Sequence, residues 1–203
     1  MIKFLAVFFL TFFLGGCNGG KFIWQGYCLP NEQLTPATLS SETSNVDKNF
    51  DSATDYGPTL FFSGEVVAKE VETFKAFSPD PLFGKYQHNI QVNLSHNEIT
   101  LNPASIDDLR ASELDGIYFE DLSDYNWNAY KKVGETYEFW GSCMLDGSGK
   151  NKKGYICLRQ LKVNGIILSF DLDSVNAHTY KQVDEFLVEK LNNWRCDLRC
   201  AIL

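Results

Sequence analysis

Six cysteines and three histidines are the side chains of this chain that zinc prefers, and the cysteines can also form disulfides. The histidines, His88, His96 and His178, are scattered along the sequence. Zinc sites usually place cysteines or histidines in two closely spaced pairs, whereas only one such pair, Cys196 and Cys200, occurs here. The spacing therefore predicts no metal site and no cofactor, and it leaves disulfide formation as the chemistry expected of the cysteines.

Cys143 and Cys157 flank a Gly-rich polar stretch, residues 146–154, that is typical of a hairpin loop. The segments on either side, 136–143 and 155–163, are rich in aromatic and β-branched residues and are predicted strands. A symmetric hairpin places the two cysteines opposite each other, with Cα atoms about 4.5 Å apart and within disulfide range. We predict a Cys143–Cys157 disulfide, and two buried free cysteines are the alternative.

Cys28, Cys196 and Cys200 are the other disulfide candidates once Cys17 is set aside for the reason given below. Counting does not decide their connectivity, and an odd set of five leaves one thiol over. The chain ends on an apolar segment after Cys200, which is typical of a tail fixed to the body of the protein. Cys28 is a possible partner for that tail.

No familiar catalytic motif is complete in this sequence. There is no Gly-x-Ser-x-Gly elbow, and residues 147–150 fail the spacing of a phosphate-binding loop. Residues 171–176 carry two Asp and an Asn but lack the glycine and the distal Glu of a calcium loop. We therefore expect a protein that is not an enzyme, with an unrecognised hydrolase as the alternative.

Acidic residues cluster in the middle of the chain and are the candidate surface for a protein partner. They are Glu113, Asp115, Glu120, Asp121 and Asp124. Such a stretch is typical of a solvated face or of a patch that meets a basic protein. The chain carries 26 acidic and 18 basic residues, a net charge of −8. Because nucleic-acid binding relies on Lys and Arg to neutralise phosphates, this balance predicts no nucleic-acid partner.

The first 17 residues combine one Lys, an apolar run from Phe4 to Leu14 and two glycines before a cysteine. The run is typical of a secretory signal, and it is shorter than the roughly 20 residues of a membrane-spanning helix. A spanning anchor, or a cleaved signal with an unrelated cysteine nearby, is the alternative.

Leu14-Gly15-Gly16-Cys17 resembles the lipobox of bacterial lipoproteins. The resemblance implies removal of residues 1–16, acylation of Cys17 and a lipid-anchored protein of the cell envelope. Asn18 then favours the outer membrane, facing the periplasm, in a Gram-negative host. That compartment is oxidising, which favours disulfides.

Residues 17–58 are expected to form a lipidated N-terminus and a tether. Ser, Thr, Asn, Asp and Pro are frequent from residue 30 to residue 58, and periodic apolar residues are few. A flexible chain of this length spans roughly 30 Å. A long ordered loop packed on the domain is the alternative.

The remaining sequence alternates between predicted strands and two predicted helices. The predicted strands cover 60–68, 86–94, 98–101, 116–119, 136–143, 155–163 and 166–172. The predicted helices cover 103–114 and 177–194, with Asn102 and Asn176 as candidate N-caps.

The order of these segments resembles an OB-fold, and in particular the tRNA-anti-like group of small bacterial envelope proteins. Residues 62–67, 133–143 and 156–161 carry the resemblance. It implies a mainly β fold with flanking helices: a partly open, five-stranded OB-like barrel over 59–165, with a C-terminal strand and an amphipathic helix, 166–203, packed on it.

These expectations combine into a function. We expect a membrane-anchored, non-enzymatic protein-binding module, such as an inhibitor or immunity protein against an envelope-acting enzyme. The alternative is an accessory of envelope assembly or maintenance that binds lipid or peptidoglycan.

Overall fold

A computed structural model describes residues 20–41, 57–80, 82–146 and 154–196. The signal peptide, Cys17 and Cys200 lie outside the described residues, so the lipobox stays a prediction. The strands are β1 Lys21–Trp24, β2 Tyr27–Pro30, β3 Thr59–Phe62, β4 Phe77–Asp80, β5 Gly84–Gln87, β6 Ile90–Ser95, β7 Arg110–Ala111, β8 Ile117–Asp121, β9 Asn126–Val133, β10 Thr136–Leu145, β11 Tyr155–Val163 and β12 Ile166–Asp173. The helices are α1 Pro36–Ser41, α2 Gly64–Glu70 and α3 Tyr180–Asn193, with 3-10 turns at Asn31–Gln33 and Ala177–Thr179.

Eight strands form one antiparallel sheet in the order β3-β6-β12-β11-β10-β9-β8-β7. Six of them, from β7 to β12, follow one another along the chain as a meander, and β6 and β3 continue the sheet beyond β12. β12 therefore lies inside the sheet, between β11 and β6, and the C-terminal segment belongs to the same core as the rest.

The core lies between one face of the sheet and helix α3. The helix buries Tyr180, Val183, Phe186, Leu187 and Leu191, which recur at the three- and four-residue steps of an amphipathic helix. Each such apolar side chain contributes about 1.5–3 kcal/mol on burial.

Two short hairpins lie outside the large sheet and are attached at opposite ends of α3. The β1–β2 hairpin bonds to the residues after the helix, where Cys28 N donates to Trp194 O over 2.7 Å. The β4–β5 hairpin is fastened before the helix, where Asn176 contacts the backbone of Lys75. The 14 residues of α3 separate the two attachments by about 21 Å.

The strongest local predictions are confirmed. Strands β10, β11 and β12 and helix α3 lie where the sequence predicts them. Cys143 pairs with Cys157 across β10 and β11, with Cα atoms 4.0 Å apart, and the two form a disulfide. A second disulfide joins Cys28 to Cys196, which fixes the C-terminal segment to the N-terminal hairpin.

The predicted strand over 60–68 is wrong beyond Phe62. Ser63 has extended backbone angles and its hydroxyl accepts a 3.4 Å hydrogen bond from Val66 N, so it caps α2. A Ser cap satisfies a free amide of the first helical turn, and it outweighs the β-propensity of Val66 and Val67. The predicted strand over 86–94 is divided between β5 and β6.

The predicted helix over 103–114 is wrong, because this segment is irregular up to the short strand β7. Ile106, one of its predicted apolar anchors, is exposed, and a helix without a buried face gains little stability. Ala104 N donates instead to Glu120. Residues 98–101 are not a strand either; they lie over the sheet, with Ile99 N donating to the Gln160 side chain.

The first part of the predicted tether is folded onto the sheet. Leu34 is buried in the core and forms a bridge with Leu60, and α1 follows it directly. Residues 30–41 therefore match the alternative of an ordered segment, while residues 42–56 lie outside the described residues.

The OB-like barrel is not confirmed. The sheet has eight strands, six of which form a meander, and no described ladder joins its edge strands β3 and β7. The fold is mainly β with flanking helices, as predicted at that coarser level.

Candidate functional site

The predicted acidic surface is largely paired within the chain. Tyr155 donates to Glu113 over 2.5 Å, Arg110 contacts Asp121, and Lys181 contacts Asp115. Glu120 accepts a 2.8 Å hydrogen bond from Tyr130, whereas Asp124 is exposed. The stretch is therefore not a uniform uncompensated patch.

Two of these pairs change the pKa of their members. Burial, together with the bond to Glu120, raises the pKa of Tyr130 to about 12. The Arg110 guanidinium holds the pKa of Asp121 below its usual range. Both shifts have causes within the chain, burial and the bond to Glu120 for Tyr130 and the contact with Arg110 for Asp121.

The four described cysteines form two disulfides. Within the described residues, no group of three or more His, Cys, Asp or Glu side chains is arranged to hold a metal ion. The Cys28–Cys196 disulfide spans 168 residues of sequence and closes the N-terminal end of the molecule.

The β4–β5 hairpin exposes two large apolar side chains at its turn. Leu82 is 83% exposed and Phe83 is 84% exposed, and we name this pair the apolar tip. Asp80 Oδ1 accepts hydrogen bonds from both of their amides, at 2.8 and 2.7 Å. Asp80 therefore holds the two amides, although the apolar side chains of Leu82 and Phe83 find no partner in the core.

The base of this hairpin is fixed by two buried polar residues. His88, 4% exposed, bonds through Nδ1 to Asp173 Oδ2. Asn176 is fully buried; its Oδ1 accepts from Lys75 N over 2.7 Å and its Nδ2 donates to Lys75 O over 3.1 Å. These contacts tie the base of the hairpin to the end of β12 and to the residues before α3.

A second candidate site is a groove where β10 and β11 separate. The two strands pair from Leu145 and Tyr155 as far as Gly141 and Arg159. Beyond that point they diverge and leave a groove of about 580 Å³, which is lined by consecutive residues of both strands and, along one side, by residues 98–102. We name it the open seam, formed by residues 137–140 of β10 and 160–162 of β11.

A buried ion pair closes the inner end of the open seam. Arg159 Nη2 donates to Asp184 of α3 over 2.8 Å, and its Nη1 donates to Trp140 O over 3.0 Å. Burial raises the pKa of Asp184, although the guanidinium opposes this shift. Gly141 permits the close approach here, since a Cβ at this position would lie 2.4 Å from Leu158 O.

Sequence reasoning missed both the apolar tip and the open seam. The signal for the tip was present, because Leu82 and Phe83 interrupt a turn-forming stretch that contains Asp80, Pro81 and Gly84. The seam has no local signal, since its residues belong to strands that were predicted correctly.

The comparisons with known proteins do not add an identity. Protein-family models, curated proteins and solved structures were each searched, and none of the three searches returned a match. In the described part of the chain, no helix combines the length and the apolar character that crossing a membrane requires.

Proposed function

We propose that this protein is a lipid-anchored envelope protein that binds a protein partner and does not turn over a substrate. In this proposal Cys17 carries the lipid, and the folded body faces the periplasm, from the outer membrane in a Gram-negative host. An inhibitor or immunity protein that neutralises an envelope-acting enzyme is its most concrete form. The observation that carries the proposal is the apolar tip, with more than four-fifths of Leu82 and Phe83 exposed.

A lipid at Cys17 would hold the N-terminal end of the molecule close to the bilayer. Only Asn18 and Gly19 separate Cys17 from Gly20, which accepts a hydrogen bond from Asn31 beside β1. Three extended residues reach at most about 10 Å. The proposal therefore replaces the long tether with direct seating of the N-terminal hairpin at the membrane.

The apolar tip belongs to the hairpin at the other end of α3. With its base about 21 Å from the attachment of the N-terminal hairpin, it projects from the end remote from the proposed anchor. A protein in the envelope is then a more accessible partner than the anchoring bilayer.

The chemistry of the tip suits an apolar pocket on a partner. Leu and Phe each contribute about 1.5–3 kcal/mol when fully buried, and a rigid turn loses little conformational entropy on binding. The acidic residues would add a negative field that accelerates encounter with a basic partner.

The test is quantitative co-purification of the full chain from its host after chemical cross-linking. The double variant Leu82→Ser/Phe83→Ser should lose a partner that the wild type retains, while the matched variant Ile23→Ser should retain it. Ile23 is also an exposed apolar residue of a short hairpin. A set of partners unchanged by the double variant would contradict the proposal.

The anchor has a separate test. Cells fed an alkyne-bearing palmitate should label the wild-type chain, and Cys17→Ala should abolish the label and release the protein from the membrane fraction. An unlabelled wild-type chain would remove the lipoprotein part of the proposal.

A second candidate function is an accessory of envelope maintenance that contacts lipid through the tip. The observation that favours it is the pair of residues beside Phe83: Lys85 lies 3.2 Å from the centroid of the Phe77 ring, and Tyr86 is half exposed. Lys and Tyr commonly flank apolar residues at membrane interfaces. Flotation of the Cys17→Ala chain with phosphatidylglycerol vesicles, lost on Leu82→Ser/Phe83→Ser, would favour this function over the first.

A further inference from the structure

We infer that the open seam is a peptide-binding site, in which an extended segment of a partner adds to the free edges of β10 and β11 as an additional strand. The inference concerns a site separate from the apolar tip and does not depend on it. Addition of a strand to an exposed edge is a recurrent mode of peptide recognition in which main-chain hydrogen bonds supply the affinity.

The orientation of the β11 backbone follows from the loop that joins it to β12. Asn164 and Gly165, both with positive φ, form a two-residue hairpin loop, so the flanking pair Val163 and Ile166 is hydrogen-bonded. Pairing alternates along an antiparallel ladder, so Leu161 also bonds to β12. The backbone N–H and C=O groups of Gln160 and Lys162 therefore face the seam.

The disulfide gives an independent check on this alternation. Cys143 and Cys157 have Cα atoms 4.0 Å apart, which is typical of a non-hydrogen-bonded pair. Cys157 therefore directs its backbone groups toward β12, as Leu161 does four residues later.

The same argument applies to β10 on the opposite side of the seam. Gly134 and Glu135 join β9 to β10, with Val133 paired to Thr136 and Glu138 paired to Lys131. The alternation directs the backbone groups of Tyr137 and Phe139 away from β9 and into the seam. Within the described chain, no hydrogen bond engages the backbone groups of Tyr137, Phe139, Gln160 or Lys162 at this edge. Both edges therefore offer free donors and acceptors.

The lining favours an extended peptide over a sugar. A sugar ring stacks on a free aromatic face, but Tyr137 is packed in an edge contact with Tyr118 and Phe139 in one with Tyr130. Free backbone groups in strand geometry match another strand instead. The side chains of such a strand alternate between the two faces of the sheet, and one set would contact Phe139 and Ile167, which line the groove.

The charges at the seam are balanced, so the partner segment need not be charged. Lys162 is paired with Glu98 at 2.5 Å, and Lys131 lies opposite Glu138 in the β9–β10 ladder. The inferred ligand is thus an extended peptide with an apolar side chain at the position above Phe139, bound with little dependence on salt.

Hydrogen exchange of the free full chain, purified in detergent, provides the first arm of the test. The amides of Gln160 and Lys162 should exchange about 100-fold or more faster than those of Leu161 and Val163, because only the latter are bonded to β12. Equal protection of all four amides would overturn the inference. Protection of Gln160 and Lys162 that rises with protein concentration would assign the seam to a second copy and would equally overturn it.

The second arm uses linear peptides selected on the full chain from a phage-displayed random library. A selected peptide should protect the amides of Gln160 and Lys162, and Lys162→Pro, which removes one seam-facing N–H, should weaken its binding about tenfold. The matched variant Lys162→Ala, which keeps that N–H and loses only the ion pair, should bind within about twofold of wild type.

Selection of no peptide that protects these amides, or equal binding by Lys162→Pro and wild type, would overturn the inference. If Lys162→Pro does not fold, as judged by circular dichroism, amide protection in the wild type decides the question. A set of partners unchanged by Leu82→Ser/Phe83→Ser would contradict the proposed function, and protection of Gln160 and Lys162 by a selected peptide would still leave this inference standing.

Discussion

The two hairpins outside the large sheet have similar lengths, but one buries its apolar residues and the other exposes them. The β1–β2 hairpin buries Trp24, Tyr27 and Leu29 in the core and is covalently closed by Cys28–Cys196. The β4–β5 hairpin exposes Leu82 and Phe83 and contains no cysteine; polar contacts of His88 and Asn176 fix its base. One hairpin therefore adds apolar burial to the core, whereas the other presents apolar surface, which fits the proposed binding role.

The cavity beside the N-terminal hairpin supports the same contrast. At the N-terminal end, a cavity of about 550 Å³ is lined by Tyr27, His96 and Arg195, and His96 stacks on Trp24 with ring centroids 5.7 Å apart. That end is a cross-linked assembly of residues from the two ends of the described chain. The β4–β5 hairpin comes from a single continuous segment, so it can present a shaped tip without carrying the core.

Among the changes that distinguish the two hairpins, removal of the Cys28–Cys196 disulfide should reduce the free energy of unfolding most. The chain-entropy model gives a loss of about 5 kcal/mol for a loop of this size, against about 3 kcal/mol for the Cys143–Cys157 loop. Urea unfolding of Cys28→Ala/Cys196→Ala, with Cys143→Ala/Cys157→Ala as the control, measures both. In Cys28→Ala/Cys196→Ala, the rate of amide hydrogen exchange should rise in β1–β2 and stay unchanged in β4–β5. An equal rise in both hairpins would contradict the difference between them.

Truncation of one apolar residue in each hairpin should give the next largest difference, measured as the change in the free energy of unfolding. Leu29 is fully buried, so Leu29→Ala should reduce the free energy of unfolding by about 3 kcal/mol. Leu82→Ala at the tip should change it by less than about 0.5 kcal/mol. Thermal and urea unfolding measure both variants, and a comparable loss in Leu82→Ala would show that the tip packs on the protein.

Asn176→Ala should loosen the β4–β5 hairpin alone. It removes both hydrogen bonds to Lys75 and leaves buried backbone groups without partners, which costs about 2 kcal/mol. Amide exchange should accelerate in β4–β5 but not in β1–β2. The control is Asn192→Ala, since the exposed Asn192 accepts one hydrogen bond from Asn164 and its removal costs less than about 0.5 kcal/mol. Unchanged exchange in β4–β5 would mean that other contacts fix the hairpin.

Elements with complete local signals could be predicted from the sequence, and elements stabilised by distant contacts could not. The β10–β11 hairpin, its disulfide and α3 have turn residues, alternation or helical spacing within one segment. Strand β9 was not predicted because its buried Asn128 depends on groups of the neighbouring strands, Glu120 of β8 and Ser142 of β10.

The failed helix over 103–114 teaches the converse. Asn102 and Pro103 supply a good helix start, but Ile106 has no surface to pack on, so the local signal is not enough. The exposure of Leu82 and Phe83 and the divergence of β10 from β11 likewise depend on the tertiary structure and not on the local sequence. Periodicity reports which residues are apolar and does not report where two correctly predicted strands separate.

Site-specific photo-cross-linking in the host tests the central claim most directly. A benzophenone amino acid in place of Phe83 should give a discrete adduct with one protein, and the same amino acid in place of Ile23, which is 66% exposed on the N-terminal hairpin, should not give that adduct. The account predicts a protein adduct at position 83 alone. No protein adduct at position 83, or the same adduct from both positions, would contradict it.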